Sequence, residues 1–448
     1  IVNVNNVENF TTNYIIEPKV PNIFPFKILS TNTVSTRLTN SSFSATTDYL
    51  YSSQNKVIQE KKFSGLPKQV TKDYIYHSTF GNLLNTTVSA AGLPSQISAT
   101  IYDSKGRFPI ESYNTNNQKS EQTFDPNFGN VLTQKGIDGL TTSFEYDFWG
   151  KVKKTNLPEG YSILNSYGWD INLNEGTVYY HLVTHPGKPD VKIWYDQIGR
   201  ERKRQIEGHN NEWITTKTTY DAKGNLATTT APYKASEAIL TTTSLYDEYN
   251  RPISNGNLLG TSTQTYNYNA EGDLTTTYTS ADGKISNKTI DATGKLISTT
   301  DIGGTLFYTY NSQGNVNLIR NATQTLVINR YDDYGRQQEL NDANAGVTLY
   351  EYNAFGQLKS QTNPVGQTSL ISYDNLGRVT SSTKPEGTTT NLYYPANSGT
   401  STNKLLSTTF SNIVNEYTYD ALARLAKEKT TIDGIVHEFI NGYTAHNC

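Results

Sequence analysis

From residue 76 onward, an aromatic residue followed by Asp or Asn, and then by glycine three positions later, recurs about every 20 to 28 residues. A unit this short cannot bury a hydrophobic face alone, so it must be one supersecondary element stacked on its neighbours. The clearest copies are Tyr102-Asp103 with Gly106, Tyr146-Asp147 with Gly150, Tyr195-Asp196 with Gly199, Tyr331-Asp332 with Gly335, and Tyr373-Asp374 with Gly377. Tyr220-Asp221, Tyr268-Asn269, Ile290-Asp291, Tyr310-Asn311 and Tyr352-Asn353 repeat the pattern. Asn250 and Ala423 stand in the glycine position after Tyr246-Asp247 and Tyr419-Asp420. One residue is inserted between Tyr76 and Gly81, Phe124 and Gly129, and Tyr394 and Gly399; a degenerate unit surrounds Tyr167. About sixteen units result.

Each part of the unit has a physical task. The Asp or Asn side chain accepts the backbone N–H two residues on, which starts a chain reversal. Glycine supplies the left-handed conformation that ends a type I turn in a hairpin with a bulge. Asn250 enters that conformation at modest cost, whereas Ala423 fits it less well. The Arg, Lys, Asn or Gln that follows begins the return strand. Ser143, Glu145 and Asp147 alternate with Thr142, Phe144 and Tyr146, a period of two. A second turn closes the unit, as at Pro158-Glu159-Gly160 and Pro364-Val365-Gly366. Each repeat is therefore a hairpin of two strands of about six residues, and the array gives on the order of 30 antiparallel strands. Accumulated twist must wind so wide a ribbon into a spiral or barrel-like wall. The tyrosines are expected to stack as a ladder with their phenol tips free to reach polar groups.

Tyr-Asp-x-x-Gly-Arg at a pitch of about 21 residues resembles the YD/Rhs-repeat family, over roughly residues 73 to 440. That family includes bacterial Rhs and wall-associated proteins, the cocoon subunits of insecticidal toxin complexes, and the teneurin ectodomains. The resemblance implies an all-β fold of tandem antiparallel β-hairpin repeats wound into a spiral, hollow β-shell. It implies a structural shell segment of a large secreted or cell-surface protein that encapsulates or carries a C-terminal toxin effector. The alternative it allows is an adhesin or recognition scaffold that binds glycan or protein. The partners implied are an enclosed toxin domain and, from the Asn/Thr/Tyr-rich composition, an outer-membrane secretion machine. The sequence departs from the bacterial pattern in its one Asp-Pro, Asp125-Pro126, which lies deep within the array. Self-cleaving aspartates are therefore not carried over.

The expected organisation is a β-rich lead-in or diverged repeats over residues 1–72, the repeat shell over 73–440, and a truncated tail over 441–448. Pro18, Pro21 and Pro25 mark residues 15 to 27 as extended or loop-like. The chain has no methionine, and Ile1 to Asn9 lack the layout of a signal peptide, so it reads as a processed product or a fragment of a longer polypeptide.

Composition narrows the function. Only 35% of residues are hydrophobic, yet there are 32 tyrosines and 32 glycines, which suits half-exposed strands and turns rather than one deep aliphatic core. The same tyrosine content, with a net charge of -3, argues against disorder and against nucleic acid as a partner. No apolar run reaches the roughly 18 residues of a spanning helix, so an integral membrane protein is not expected. The single cysteine, Cys448, excludes a disulfide framework.

Residues that could carry chemistry read as structural. His181 and His185 have metal-ligand spacing only on a helix, and their context is strand then turn. His446 with Cys448 lacks a held geometry. Arg202-Lys203-Arg204 and Lys151-Val152-Lys153-Lys154 read as solvated strand faces, and Trp149, Trp169, Trp194 and Trp213 as wall packing rather than a sugar-binding patch. No catalytic, cofactor or metal site is expected, and the chain is read as not an enzyme.

Overall fold

The computed structural model describes residues 9–16, 27–36 and 42–443. Pro18, Pro21 and Pro25 and the His446–Cys448 pair lie outside them. The described residues form 37 β-strands, two short 3-10 turns and no α-helix. The chain divides into two units, one comprising residues up to 141 with 309–320 and 324–442, the other 142–308 with 321–323.

In both units each strand pairs antiparallel with its sequence neighbours, so the topology is a run of consecutive hairpins. In the first unit, for example, Thr325–Tyr331, Gln337–Asp342, Gly346–Tyr352 and Leu358–Thr362 pair in that order. In the second, Gly260–Tyr268, Leu274–Thr279, Ile285–Ile290 and Leu296–Asp301 do the same. The turns alternate along the chain. One kind follows the Tyr-Asp pair and lies along one edge of the ribbon, and the other lies along the opposite edge. We call them YD turns and return turns.

The ladder slips by one residue at the tyrosine. Tyr331 pairs with Gln337 but Arg330 with Glu339, and Tyr146, Tyr195, Tyr352 and Tyr373 show the same slip. This is the bulge that a left-handed residue at the end of a type I turn produces. Gly335 has φ +79°, and its N–H donates to Asp332 O at 3.0 Å while Asp332 N–H donates to Arg336 O at 2.7 Å. Tyr102 differs by one residue: Gly106 N–H still donates to Asp103 O, but Asp103 N–H reaches past Arg107 to Phe108 O.

The ribbon is one layer thick. Among the described residues the buried hydrophobic side chains are Ile193 and Trp194, at 9% and 6% exposure. Tyrosine and threonine on half-covered strand faces take the place of an aliphatic core. Cross-strand hydroxyl pairs such as Thr219–Thr228, 2.6 Å, and Thr275–Thr289, 3.0 Å, link adjacent strands.

Three details correct the reading of the repeats. The unit placed at Tyr394 and Gly399 is built on Tyr393, which pairs with Leu405 across the bulge, and Asn403, φ +65°, holds the left-handed position before the return strand. Around Asn269 the ladder runs without a slip, and Tyr268 is exposed. A turn of the same build follows Tyr51, where Ser52 replaces the aspartate and Asn55, φ +61°, replaces the glycine.

Candidate functional site

The recurring site of this chain is the YD turn. Where the motif has Asp, one carboxylate holds the turn together. Asp332 Oδ1 accepts the N–H groups of Tyr334 and Arg336, both at 2.9 Å, and Oδ2 takes Nε and Nη2 of Arg336 at 2.8 and 2.7 Å. Asp374 with Arg378 and Asp420 with Arg424 repeat the pattern, as does Asp196 with Arg200. In Asp147 the backbone half is present, with Trp149 and Lys151 as donors. The arginine does more than open the return strand, because it closes a charge-assisted fork on its own turn. Burial disfavours ionised Asp196, but the N–H and guanidinium of Arg200 outweigh it and hold the carboxyl below its usual range. The same balance, set by Arg251 and Arg424, acts on Asp247 and Asp420.

The tyrosine joins one repeat to the one before. Tyr352 donates its hydroxyl to Gln337 O at 2.9 Å, Tyr373 to Leu358 O at 2.9 Å, and Tyr331 to Val316 O at 2.8 Å. Each acceptor lies six residues past the tyrosine of the preceding repeat. Tyr51, Tyr76, Tyr220, Tyr393 and Tyr419 make equivalent bonds, and Tyr266 makes the one that Tyr268 does not. Between successive tyrosines sits the arginine: Arg200 lies 4.4 Å from the Tyr220 ring centre, Arg336 5.1 Å from Tyr352, and Arg378 4.1 Å from Tyr393. Where the turn carries arginine its guanidinium thus lies against the next tyrosine ring, and Lys56 and Lys151 place an ammonium there instead, against Tyr76 and Tyr167. Direct stacking occurs at Tyr179–Tyr195, 5.1 Å between ring centres.

A second arrangement, within the first unit, brings YD turns against return turns far away in sequence. Tyr334, at the tip of its YD turn, packs edge-on against Phe63 at 4.7 Å and accepts the backbone N–H of Lys68 at 3.2 Å. Lys68 Nζ lies 5.3 Å from the Tyr334 ring centre and 4.0 Å from Asp332. Burial, and then the charge of Arg336, push the Lys68 ammonium below its ordinary pKa, against the pull of Asp332 and Glu351. Phe63 holds φ +58°, an unfavourable conformation for so bulky a residue. One repeat on, Phe355 lines a groove of about 270 Å³ with Leu93 and Pro94 of the next return turn. Leu376 lines another, of about 440 Å³, with Gln96, Thr115 and Gln118. Gln118, 4% exposed, exchanges two amide hydrogen bonds with Asn403, at 2.7 and 2.6 Å. Tyr334, Phe355, Leu376 and Asn403 therefore mesh in order with the return turns at 63–69, 91–94 and 114–118. Nothing in the motif announced this seam.

The remaining candidates are spread out. His181 bonds Asn165 through Nε2 at 2.9 Å and stacks on Tyr167 at 4.4 Å, and burial, helped by Lys151, lowers its pKa. His185 contacts Pro186 O and Tyr161 in a turn. Lys203 pairs with Glu175 at 3.2 Å, Arg204 with Glu201 at 2.7 Å, and Arg202 donates to Glu175 O. The tryptophans divide: Trp194 is buried and donates Nε1–H to Asp170 at 2.7 Å, while Trp149 and Trp169 stand 81% and 79% exposed, not packed into the wall. Among the described residues no group of three or more His, Cys, Asp or Glu could hold a metal ion. Among the described residues no helix is long and apolar enough to cross a membrane.

Residues 331–368 and 352–389 match the model of the RHS Repeat family. No curated protein matches the sequence. Among solved structures, the chain is similar to the crystal structure of TcdB2-TccC3-TEV, with 12% identity, 94% of this chain and 28% of that chain covered, and a TM-score of 0.56. Similarity extends to the crystal structure of TcdB2-TccC3, at 13% identity over 93% and 31% of the two chains and a TM-score of 0.32. The Photorhabdus luminescens Tc holotoxin pore with a mutation in TccC3 gives 14% identity over 89% and 26%, and a TM-score of 0.30. This chain thus spans less than a third of the first structure's chain, and the likeness is one of fold. The Tyr-Asp turns within residues 331–389 are thus RHS repeats by the family model, and the all-β fold of the chain is like that of the TcdB2-TccC3-TEV structure.

Proposed function

We propose that the chain is a length of shell wall in a large exported Rhs-type protein, and that it works by enclosing a toxin effector encoded outside these residues. Residues 73–440 are the wall in this reading, residues 1–72 lead into it and 441–448 lead out. The task is steric rather than catalytic: a wall that keeps a folded or unfolded cargo away from proteases and from the producing cell. An outer-membrane export machine is the partner that would carry such a protein out.

The observation that supports this most directly is the meshing of YD turns with return turns in the first unit. A one-layer ribbon has little packed core to stabilise it, so its stability rests on the ladder and on such seams. Exposed Trp149 and Trp169 are compatible with the adhesin alternative.

Electron cryo-microscopy of the full-length protein that contains this chain tests the proposal. Density for a separate domain inside the wall, lost when the C-terminal segment is deleted, is the expected result. A solid or empty interior in the intact protein, with partners bound only outside, would refute encapsulation and favour adhesion.

A further inference from the structure

The seam of the first unit follows a rule: the residue two positions after the turn Asp or Asn is a tooth, and its socket is a return turn. Tyr334, Phe355 and Leu376 occupy this position after Asp332, Asn353 and Asp374, and all three are half-buried. In the second unit the same position is apolar and bare in three of the six YD turns, the other three carrying Lys223, Glu271 and Thr293. Trp149 follows Asp147 and is 81% exposed, Ile198 follows Asp196 and is 75% exposed, and Tyr249 follows Asp247 and is 69% exposed. Leu173 projects from the intervening turn after Asn172, at 88%. Successive YD turns are two strands apart, roughly 10 Å, so these tips span about 40 Å along one edge of the unit, with Lys223 between Ile198 and Tyr249.

The opposite edge of the same unit also carries apolar tips. Leu258 and Leu259 form the return turn after Pro252–Asn257 and are 80% and 88% exposed. Ile302, in the return turn between Leu296–Asp301 and Gly304–Tyr310, is 96% exposed, and Ile239 and Leu240 lie on the same edge. Large apolar tips repeated along both edges are unusual for a surface with no partner.

We infer that the second unit binds a second copy of this chain head to tail, the YD-turn row of one copy seated on the return turns of the other. The chain itself supplies the reason for this occupant. Its first unit already uses teeth at this repeat position against return turns, and the second unit presents both halves of that contact uncovered. The two halves are different surfaces, so the contact is heterologous and does not close on two copies. Association of this kind adds copies one at a time, as a growing stack.

Sedimentation velocity of the 448-residue chain, together with two variants, tests this. One variant, Trp149→Ser with Ile198→Ser, removes teeth; the other, Leu258→Ser with Leu259→Ser, removes a socket. All four side chains are exposed, so melting curves matching the wild type are expected and serve as the folding control. The wild type should show a sedimentation coefficient that rises continuously with concentration. Each variant alone should lose that rise, and an equimolar mixture of the two should recover a species of two copies and grow no further. A wild type that stays monomeric would overturn the inference and leave the rows to a different occupant. So would a closed dimer, or two variants that fail to pair when mixed.

Discussion

Gln118 and Asn403, 285 residues apart in sequence, face each other with both side-chain amides paired, each donating to the other's carbonyl oxygen. Asn403 holds φ +65°, and Arg378 donates to its backbone carbonyl at 3.1 Å, so the amide is presented by a turn that is itself clamped. The pair ties the last third of the ribbon to the first.

Breaking this pair should cost more than two surface hydrogen bonds. Gln118→Ala takes away the buried half of the pair and leaves half-buried Asn403 with Arg378 alone on its side-chain oxygen, at a cost of about 1–2 kcal/mol. Asn403→Gly keeps the left-handed backbone and removes the amide with its further contact to Arg378, 3.3 Å. Gln118→Ala likewise removes the contact to Asn114, 2.6 Å, so the two substitutions need the double variant to isolate the pair. Their coupling, read from chemical denaturation, should be roughly 1–2 kcal/mol. Additive effects would mean that the pair does not hold the seam.

The turn glycines separate two costs. At Gly335 a Cβ would meet Gln313 Oε1 at 2.9 Å, and φ is +79°; at Gly356 φ is +84° and nothing lies within 4 Å. Gly356→Ala should therefore destabilise by about 1–2 kcal/mol from backbone conformation alone. Gly335→Val adds β-branching and the displacement of Gln313, and should exceed it. Thermal melting ranks the two, and an unchanged Gly335→Val curve would contradict the turn assignment.

Acid should loosen the YD turns together. Asp196, Asp247 and Asp420 are held below the usual carboxylate range by N–H and guanidinium donors that outweigh burial. A lowered folded-state pKa stabilises above the unfolded value of about 4, and the contribution is lost as pH falls through the folded values. The contribution of these carboxylates should be undiminished down to about pH 4 and be lost below it, while His181, whose pKa burial lowers, adds a shallow loss below about pH 6.5. Asp420→Asn should lower stability at neutral pH and make the acid drop shallower. A melting temperature independent of pH across that range would show that the carboxylates do not carry the turns.

The YD turn was legible because its determinants are local: Asp332 and Gly335 act on residues at most four positions away. The second role of the arginine was not, since half of what Arg378 touches, the Tyr393 ring and Asn403, belongs to the next turn. Tyr51 escaped because Ser52 and Asn55 do the same work with different letters. Between Tyr393 and Tyr394 the sequence is ambiguous, because the long turn after them hides which tyrosine faces the previous repeat, and only the bond from Tyr393 to Val379 O decides. The seam was invisible for a different reason. Phe63, Lys68 and Gln118 obey no period, and their partners are set by how the ribbon winds rather than by any neighbour in sequence.

One repeat carries a conformational flaw that can be removed. Ala423 occupies the position that glycine fills elsewhere, with φ +64°. Its methyl group makes that conformation unfavourable by about 1–2 kcal/mol, offset in part because alanine has less freedom to lose on folding than glycine. Asp420, Leu422 and Arg424 still form the complete hydrogen-bonded turn, so the surrounding bonds over-determine the strained residue. Ala423→Gly should therefore raise stability by roughly 0.5–1 kcal/mol, the reverse of the loss at Gly356→Ala. Denaturant melts of the two variants side by side check both signs at once. If Ala423→Gly destabilises, the backbone there is not strained, and the turn tolerates alanine for a reason other than its hydrogen bonds.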